Sequence, residues 1–189
     1  MKIAAPLREL GAVAIDPLRE AILAQDEDAW LANSHRQDSY DVHRATESIV
    51  LVFCDNAWPD LSVRKESGWD ALAATAVPVM HELIGRAYPP GGTIIRAMAA
   101  KLKAGGRITP HFDAHVTFRA SHRIHVPITT NPRVRFMIDG RPYRFDIGQA
   151  YEINNQLTHS VMNSGKEDRV TFIFDYLPPQ AVANAAARA

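Results

Sequence analysis

Two histidines and one aspartate carry the sharpest chemical signal in this sequence. His111 and Asp113 stand two positions apart, and His159 follows far downstream. On a β-strand, residues i and i+2 point to the same side, so His111 and Asp113 can reach one point in space if the chain is extended there. Two imidazole nitrogens and one carboxylate suit Fe(II) and leave coordination positions open. We therefore predict an Fe(II) site made of His111, Asp113 and His159, with no catalytic residue beyond these ligands.

Arg169 follows His159 in the chain and begins the segment Arg169–Tyr176, in which aromatic or aliphatic residues occupy every second position. An arginine that enters the interior of a sheet structure is costly unless it meets an anion. Its planar guanidinium matches a carboxylate, so Arg169 is a candidate for holding the far carboxylate of a dicarboxylic acid. The alternative is a surface ion pair with Glu167 or Asp168, which would be the better explanation if Arg169 stood without the metal-binding pattern.

Arg123 and His125 form a second pair with two-residue spacing, just before an apolar strand segment. Either both point inward at one ligand, or Arg123 faces solvent while His125 packs against Val126. The sequence favours neither. For His115 and His122 we expect exposed positions or satisfied positions in the core rather than a ligand role.

The second half of the chain predicts an antiparallel β structure. Val134, Phe136 and Ile138 alternate with other residues, and Asp139–Gly140 is typical of a tight hairpin turn. Short strands at close spacing predict a sandwich or barrel. Further strands are predicted at Ala150–Ile153 and Arg169–Tyr176.

The first half predicts helices and one strand. Asp16–Pro17 is a suitable helix start, with Asp16 as the cap. Ser48–Phe53 predicts a buried strand, and a helix over 70–86 is predicted to kink or restart at Pro78. We expect a single domain, 1–189, with a helical front that carries a first strand (1–88), a core with the metal site (89–178) and a tail (179–189).

Four segments together resemble the aspartyl/asparaginyl β-hydroxylase family, within the Fe(II)/2-oxoglutarate-dependent dioxygenases. They are Thr109-Pro-His-Phe-Asp, Arg123-Ile-His-Val-Pro, Asn154-Asn-Gln-Leu-Thr-His and Asp168-Arg-Val-Thr-Phe-Ile-Phe-Asp-Tyr. The resemblance implies a mainly β fold with flanking helices, a double-stranded β-helix (jelly roll, cupin-like).

The resemblance also implies roles for single residues. His111 and His159 match the family's metal-binding histidines, and Arg169 matches the arginine that holds the distal carboxylate of 2-oxoglutarate. Arg123 and His125 match a pair that lines the cosubstrate pocket. One departure is Asp113, because the best-known aspartyl hydroxylases of the family have no carboxylate at that position.

The function implied is hydroxylation of an unactivated C–H bond in an amino-acid-like small molecule or a peptide side chain, with Fe(II), 2-oxoglutarate and O2. The alternatives are a non-enzymatic metal- and carboxylate-binding sensor on the same fold, and a cupin-type metalloenzyme with different chemistry. His43 and Arg44 are the best candidates for substrate contacts, although a solvated loop that enters the sheet is the slightly favoured interpretation of each residue.

Composition narrows the possible partners. The 189 residues carry no net charge, which argues against broad binding of nucleic acid. Cys54 is the single cysteine and sits in an apolar run, so we expect a buried thiol and a cytoplasmic protein. No apolar run has the roughly 18 residues that a membrane helix needs. The oligomeric state is left open.

Overall fold

The computed structural model describes residues 3–32, 45–55 and 57–186. In this part of the chain the strands are β1 (Leu7–Ala12), β2 (Thr46–Cys54), β3 (Val63–Lys65), β4 (Thr93–Leu102), β5 (Arg107–His111), β6 (His122–Thr129), β7 (Val134–Ile138), β8 (Arg141–Tyr143), β9 (Gln149–Ile153), β10 (His159–Asn163) and β11 (Arg169–Leu177). The helices are α1 (Asp16–Leu23), α2 (Glu27–Leu31), α3 (Trp69–Ala87), α4 (Val116–Ala120) and α5 (Pro179–Ala186).

The strands form two antiparallel sheets. The larger sheet has the order β1-β9-β6-β11-β4-β2-β3, and the smaller has the order β5-β10-β7-β8. Strands that are distant in sequence are neighbours in both sheets, as in a jelly roll. The predicted fold class, a mainly β double-stranded β-helix with flanking helices, is confirmed.

The alternation of side chains along β11 separates two layers. Phe172 and Phe174 are fully buried in an apolar cluster that includes Leu18 of α1 and Leu72 of α3. The alternate residues of β11 point to the other face, toward the smaller sheet, because successive side chains of a strand lie on opposite sides. Asp175 is one of them and is also fully buried. The helices therefore cover an apolar face, and the polar residues lie between the sheets.

The larger sheet takes strands from both halves of the chain. β2 pairs with β4, and β1 pairs with β9. β2 is longer than the predicted segment Ser48–Phe53, and β1 was not predicted, because Arg8, Glu9 and Gly11 hide its pattern. The single domain over residues 1–189 remains a prediction, and the shared sheet supports it.

The first helical region differs from the prediction at its start. Ile15, not Asp16, is the residue that caps α1, and no side chain caps its free N–H groups. Asp16 lies inside the first turn, where a negative charge still favours the helix dipole. The cap provided by a side chain occurs at α2 instead, where Asp26 accepts a hydrogen bond from the backbone N–H of Ala29 at 2.9 Å.

Two other predicted features have clear outcomes. The helix predicted over 70–86 is α3, and it continues through Pro78 as one helix. The turn at Asp139–Gly140 is confirmed, with φ of 50° at Asp139 and 72° at Gly140, the positive values that the twist of a tight hairpin requires.

Cys54 is buried, and its burial raises the pKa of the thiol, so the thiolate is disfavoured. None of the helices in the described ranges is long and apolar enough to cross a membrane.

The layer beneath the helices should dominate stability. We expect Phe174→Ala to lower the free energy of unfolding by about 3–5 kcal/mol, because it leaves a cavity in a fully buried position. Phe112→Ala is the matched control, since the side chain of Phe112 is 55% exposed. Urea unfolding of the metal-free protein measures both. Equal losses in the two variants would contradict this assignment of the core.

A candidate metal centre between the sheets

The side chains of His111, Asp113 and His159 converge. One potential ligand atom from each residue lies within 4.8 Å of the other two. His111 ends β5 and His159 begins β10, and the two residues are direct partners across these antiparallel strands. Their ring centroids are 4.4 Å apart. The arrangement can hold one metal ion through two nitrogens and one oxygen, which fits Fe(II).

The two imidazoles are oriented in the same way. Nδ1 of His111 lies 2.8 Å from the carbonyl oxygen of Thr109, and Nδ1 of His159 lies 3.0 Å from that of Leu157. Each Nδ1 therefore donates its hydrogen to a carbonyl, and this tautomer places the lone pair of each ring on Nε2. Burial lowers the pKa of His159, which favours the neutral form that a metal requires.

The pairing of β5 with β10 is irregular next to the site. His159 is paired with His111, but Val161 is paired with Ile108, so β5 contains one extra residue in this stretch. Pro110 lies in the irregular part, where a residue without an N–H does not interrupt regular pairing. Bulges of this kind commonly redirect a side chain near a functional site.

Asp113 does not lie on the strand, as the two-residue spacing had suggested. β5 ends at His111, and Asp113 is held just beyond it by the loop before β10. Its backbone N–H donates to the carbonyl of Asn155 at 3.0 Å, and its carbonyl accepts from Nε2 of Gln156 at 2.9 Å. Neither Asn155 nor Gln156 was predicted to hold Asp113, because a contact with the backbone of a distant residue leaves no signal in the sequence.

Arg123 makes contacts that the sequence did not predict. Its Nη1 donates to Oδ2 of Asp113 at 2.8 Å, while Nε and Nη2 donate to the two carboxylate oxygens of Asp175 at 2.8 and 2.9 Å. Burial alone would lower the pKa of Arg123, but the two carboxylates outweigh it and raise the pKa above the ordinary value. Arg123 thus points inward and does not face solvent.

One cavity joins the remaining predicted residues to the histidines. Arg123, His125 and Arg169 line it together with His111 and His159. The ring of His125 meets Phe136 and Phe145 edge-on, with centroids 5.9 and 6.1 Å apart. Inward orientation of both members of the Arg123–His125 pair is therefore observed. Their role toward a cosubstrate remains a prediction.

Arg169 is the unusual charge of this cavity. It is 5% exposed, and its Nη2 atom is buried without a hydrogen-bond partner in the described part of the chain. Within the same ranges no carboxylate forms an ion pair with it, so the alternative of a surface ion pair with Glu167 or Asp168 is wrong. Burial lowers the pKa of Arg169 to about 10. A buried guanidinium without a carboxylate partner is a suitable site for an anionic ligand.

The other predicted residues lie elsewhere. His115 caps α4, with Nδ1 accepting from the backbone N–H of Thr117. His122 is buried, with Nδ1 2.5 Å from Glu152. Neither belongs to the metal-binding group, as expected. His43 and Arg44 lie outside the described residues.

The isolated charge of Arg169 predicts an unusual response to mutation. Its pKa in the folded state is below the ordinary value, so the charged form costs stability at pH 7. This cost is complete below about pH 10 and disappears as the pH rises from about 10 toward the ordinary pKa of an arginine in the unfolded chain. We expect Arg169→Met to raise the free energy of unfolding at pH 7 by about 1–3 kcal/mol. Arg123→Met should lower it by about 3–5 kcal/mol, because two buried carboxylates lose their partner. Urea unfolding without metal or 2-oxoglutarate measures both, and a loss of stability in Arg169→Met would refute the prediction.

Solved structures with a similar fold include several oxygenases. The nickel complex of ThoJ, a non-heme monooxygenase, is 17% identical with a TM-score of 0.58, over 93% of this chain and 74% of that one. A prolyl hydroxylase from Trichoplax adhaerens, in complex with a peptide of the hypoxia-inducible factor oxygen degradation domain, is 12% identical with a TM-score of 0.60, over 96% and 88%. The 2-oxoglutarate-dependent epimerase SnoN is 12% identical with a TM-score of 0.57, over 92% and 78%. At these identities the likeness concerns the fold.

The family comparison is more specific. No curated protein sequence matches the chain. The sequence profile of the family described as aspartyl/asparaginyl beta-hydroxylase matches residues 18–179, which include every strand from β2 to β11 and all of the candidate metal centre. This match supports a hydroxylase function for the chain at the level of the family. The chain belongs to the aspartyl/asparaginyl β-hydroxylase family.

Proposed function

We propose that this chain binds one Fe(II) ion through His111, Asp113 and His159 and uses 2-oxoglutarate and O2 to hydroxylate an unactivated C–H bond. The observation that carries the proposal is the buried guanidinium of Arg169, which has no anionic partner among the described residues and lines the same cavity as the two histidines. A metal-binding triad is found in many proteins, but a buried unpaired cation beside it selects a ligand with a carboxylate.

Different residues bind the metal and the cosubstrate in this proposal. His111, His159 and Asp113 hold the iron, and two backbone carbonyls keep the imidazoles in the tautomer that binds it. Arg169 would bind the distal carboxylate of 2-oxoglutarate and thereby orient the cosubstrate within the cavity that the two histidines also line. The chemistry supplied by the bound groups is the oxidation of 2-oxoglutarate by O2 to succinate and CO2, coupled to insertion of one oxygen atom into a C–H bond of the substrate.

The remaining walls of the cavity keep water away. They include Phe136 and Val161, which are 3% and 4% exposed, and the partly buried Ile173. A dry pocket strengthens the contact between Arg169 and a carboxylate. Arg123 and His125 line the same cavity, which supports their proposed role in lining the cosubstrate pocket.

For the substrate we propose an amino-acid-like small molecule or a peptide side chain, in keeping with the family to which the chain belongs. Thr46 lines the cavity and follows His43 and Arg44 closely in the chain, which supports these two residues as candidates for substrate contacts. Succinate formation across a panel of free amino acids and short peptides measures this, because the true substrate should accelerate it. The cytoplasmic location and the absence of a nucleic-acid partner remain predictions from composition.

The first test concerns the metal ligands. We expect the purified protein with Fe(II), ascorbate and 2-oxoglutarate to release succinate slowly without substrate, and we expect His111→Ala and His159→Ala to abolish this. His81→Ala is the control, since His81 is exposed on α3. Succinate is quantified by mass spectrometry. Undiminished release in both ligand variants would exclude the triad, and activity that requires zinc but not O2 would favour the cupin-type alternative.

The second test concerns Arg169. We expect Arg169→Met to raise the KM for 2-oxoglutarate by about 10- to 100-fold, because a charge-assisted contact of about 1.5–3 kcal/mol is lost. The wild-type protein should discriminate against 2-oxovalerate, which lacks the distal carboxylate, and the variant should lose this discrimination. Arg133→Met, at an exposed arginine, is the control. Unchanged discrimination in Arg169→Met would place the cosubstrate elsewhere.

A further inference from the structure

The function proposed above assigns no role to Asp175, a buried aspartate on β11. Asp175 is fully buried, and both of its carboxylate oxygens accept hydrogen bonds from Arg123. Nη1 of Arg96 lies 3.4 Å from one of them. Burial by itself would raise the pKa of Asp175, but Arg123 and Arg96 hold it below the ordinary value. Asp175 therefore lies as a charged group between two guanidiniums.

Arg123 connects this buried charge to the metal centre. Two of its nitrogens are fixed by Asp175, and the third reaches Oδ2 of Asp113. A guanidinium is planar and rigid, so fixing one side of it at Asp175 also fixes the direction of the nitrogen that meets Asp113. In this way Oδ2 is held by Arg123, and a carboxylate oxygen of Asp113 lies within 4.8 Å of a ring nitrogen of each of the two histidines.

The helix that follows the metal-binding loop covers the network. The ring of Phe118 in α4 lies 4.3 Å from the guanidinium carbon of Arg96 and 4.5 Å from that of Arg123. Nη2 of Arg96 also donates to the hydroxyl of Thr117 at 3.0 Å. The two guanidiniums are therefore held in place by ion pairs on one side and by α4 on the other.

The network is balanced in charge, with two arginines and two aspartates. This balance matters because buried ions are tolerated only when they are paired. If Asp175 lost its charge, Arg123 would retain Asp113 as its only anionic partner in the network. The carboxylate of Asp113 would then be drawn toward Arg123 and would lose both its orientation and part of its charge toward a metal.

We propose that Asp175 is a positioning residue for the metal ligand Asp113 and acts on it through Arg123. This inference rests on the proposed iron site. Residues that hold a metal ligand in place typically contribute about 10- to 100-fold to metal affinity. The sequence places Asp175 on a strand that the family match includes, but its role depends on the inward orientation of Arg123, which only the structure reveals.

Glu152 on β9 provides a matched control. Glu152 is 2% exposed. Its carboxylate accepts a hydrogen bond from the hydroxyl of Tyr88 at 2.9 Å and forms an ion pair with Arg8 at 2.8 Å. It therefore resembles Asp175 in burial and pairing. Its neighbours Tyr151 and Ile153 pack between the sheets, so Glu152 points to the opposite face. Glu152→Gln tests the loss of a buried charge without a link to Asp113.

The experiment measures binding of Co²⁺ alone to the metal-free full chain by calorimetry, together with the visible absorption spectrum of the bound Co²⁺. We expect Asp175→Asn to weaken Co²⁺ binding by about 10- to 100-fold and to change the spectrum, because the ligand field at the cobalt changes. Glu152→Gln should leave both as in the wild type. The double variant Asp175→Asn/Arg96→Met keeps the buried charges balanced, so it should fold even if Asp175→Asn does not, and it should show the same weaker binding.

The outcomes separate the two proposals. If His111→Ala and His159→Ala bind Co²⁺ like the wild type, the iron site itself is wrong. If these two lose binding but the double variant retains wild-type affinity and spectrum, the iron site stands and the role of Asp175 is refuted. An equal loss in Glu152→Gln would also refute it, because it would show a general effect of buried charge.

Discussion

The candidate centre depends on the alternation of side chains along β11, the central strand of the larger sheet. Phe172 and Phe174 pack beneath the helices on one face, while Arg169 and Asp175 point between the sheets on the other. The apolar face offsets the cost of holding charged groups on the polar face, because both belong to one rigid strand. Neighbouring β6 repeats the division, with Ile124 beneath the helices and Arg123 between the sheets.

The two inward arginines of these strands have opposite electrostatic environments. Arg123 is surrounded by Asp113 and Asp175, and its pKa is raised. Arg169 has no carboxylate partner in the described ranges, and its pKa is lowered. One fold thus holds a guanidinium whose charge is balanced by two carboxylates and another with no carboxylate partner among the described residues. The difference separates a residue that maintains the site from a residue that we propose binds the cosubstrate.

The sequence predicts much of this arrangement, because the signals are local. The strand β11 and the hairpin turn at Asp139–Gly140 follow from periodicity and turn chemistry. The convergence of His111 with His159 joins distant residues, and its prediction depended on ligand chemistry together with the family resemblance. The position of Asp113 was predicted for the wrong reason, since a loop and not a strand brings it to the histidines.

The features that the sequence did not predict depend on contacts between distant residues. β1 forms a strand because it pairs with β9, although the alternation of apolar residues in the sequence of β1 is weak. The ion pairs of Arg123 likewise join residues from β6, β11 and the loop after β5. A spacing rule describes one element at a time and therefore cannot identify partners that only the assembled sheets bring together.

The direct pairing of His111 with His159 across neighbouring strands has a consequence for assembly of the smaller sheet. Side chains of a strand alternate between its faces, so a slip of β10 by one residue would replace His159 with a side chain that points the other way. The two imidazoles would then lie on opposite faces and could not share an ion. A metal bound by both strands would consequently stabilise the pairing of β5 with β10 only in its native register.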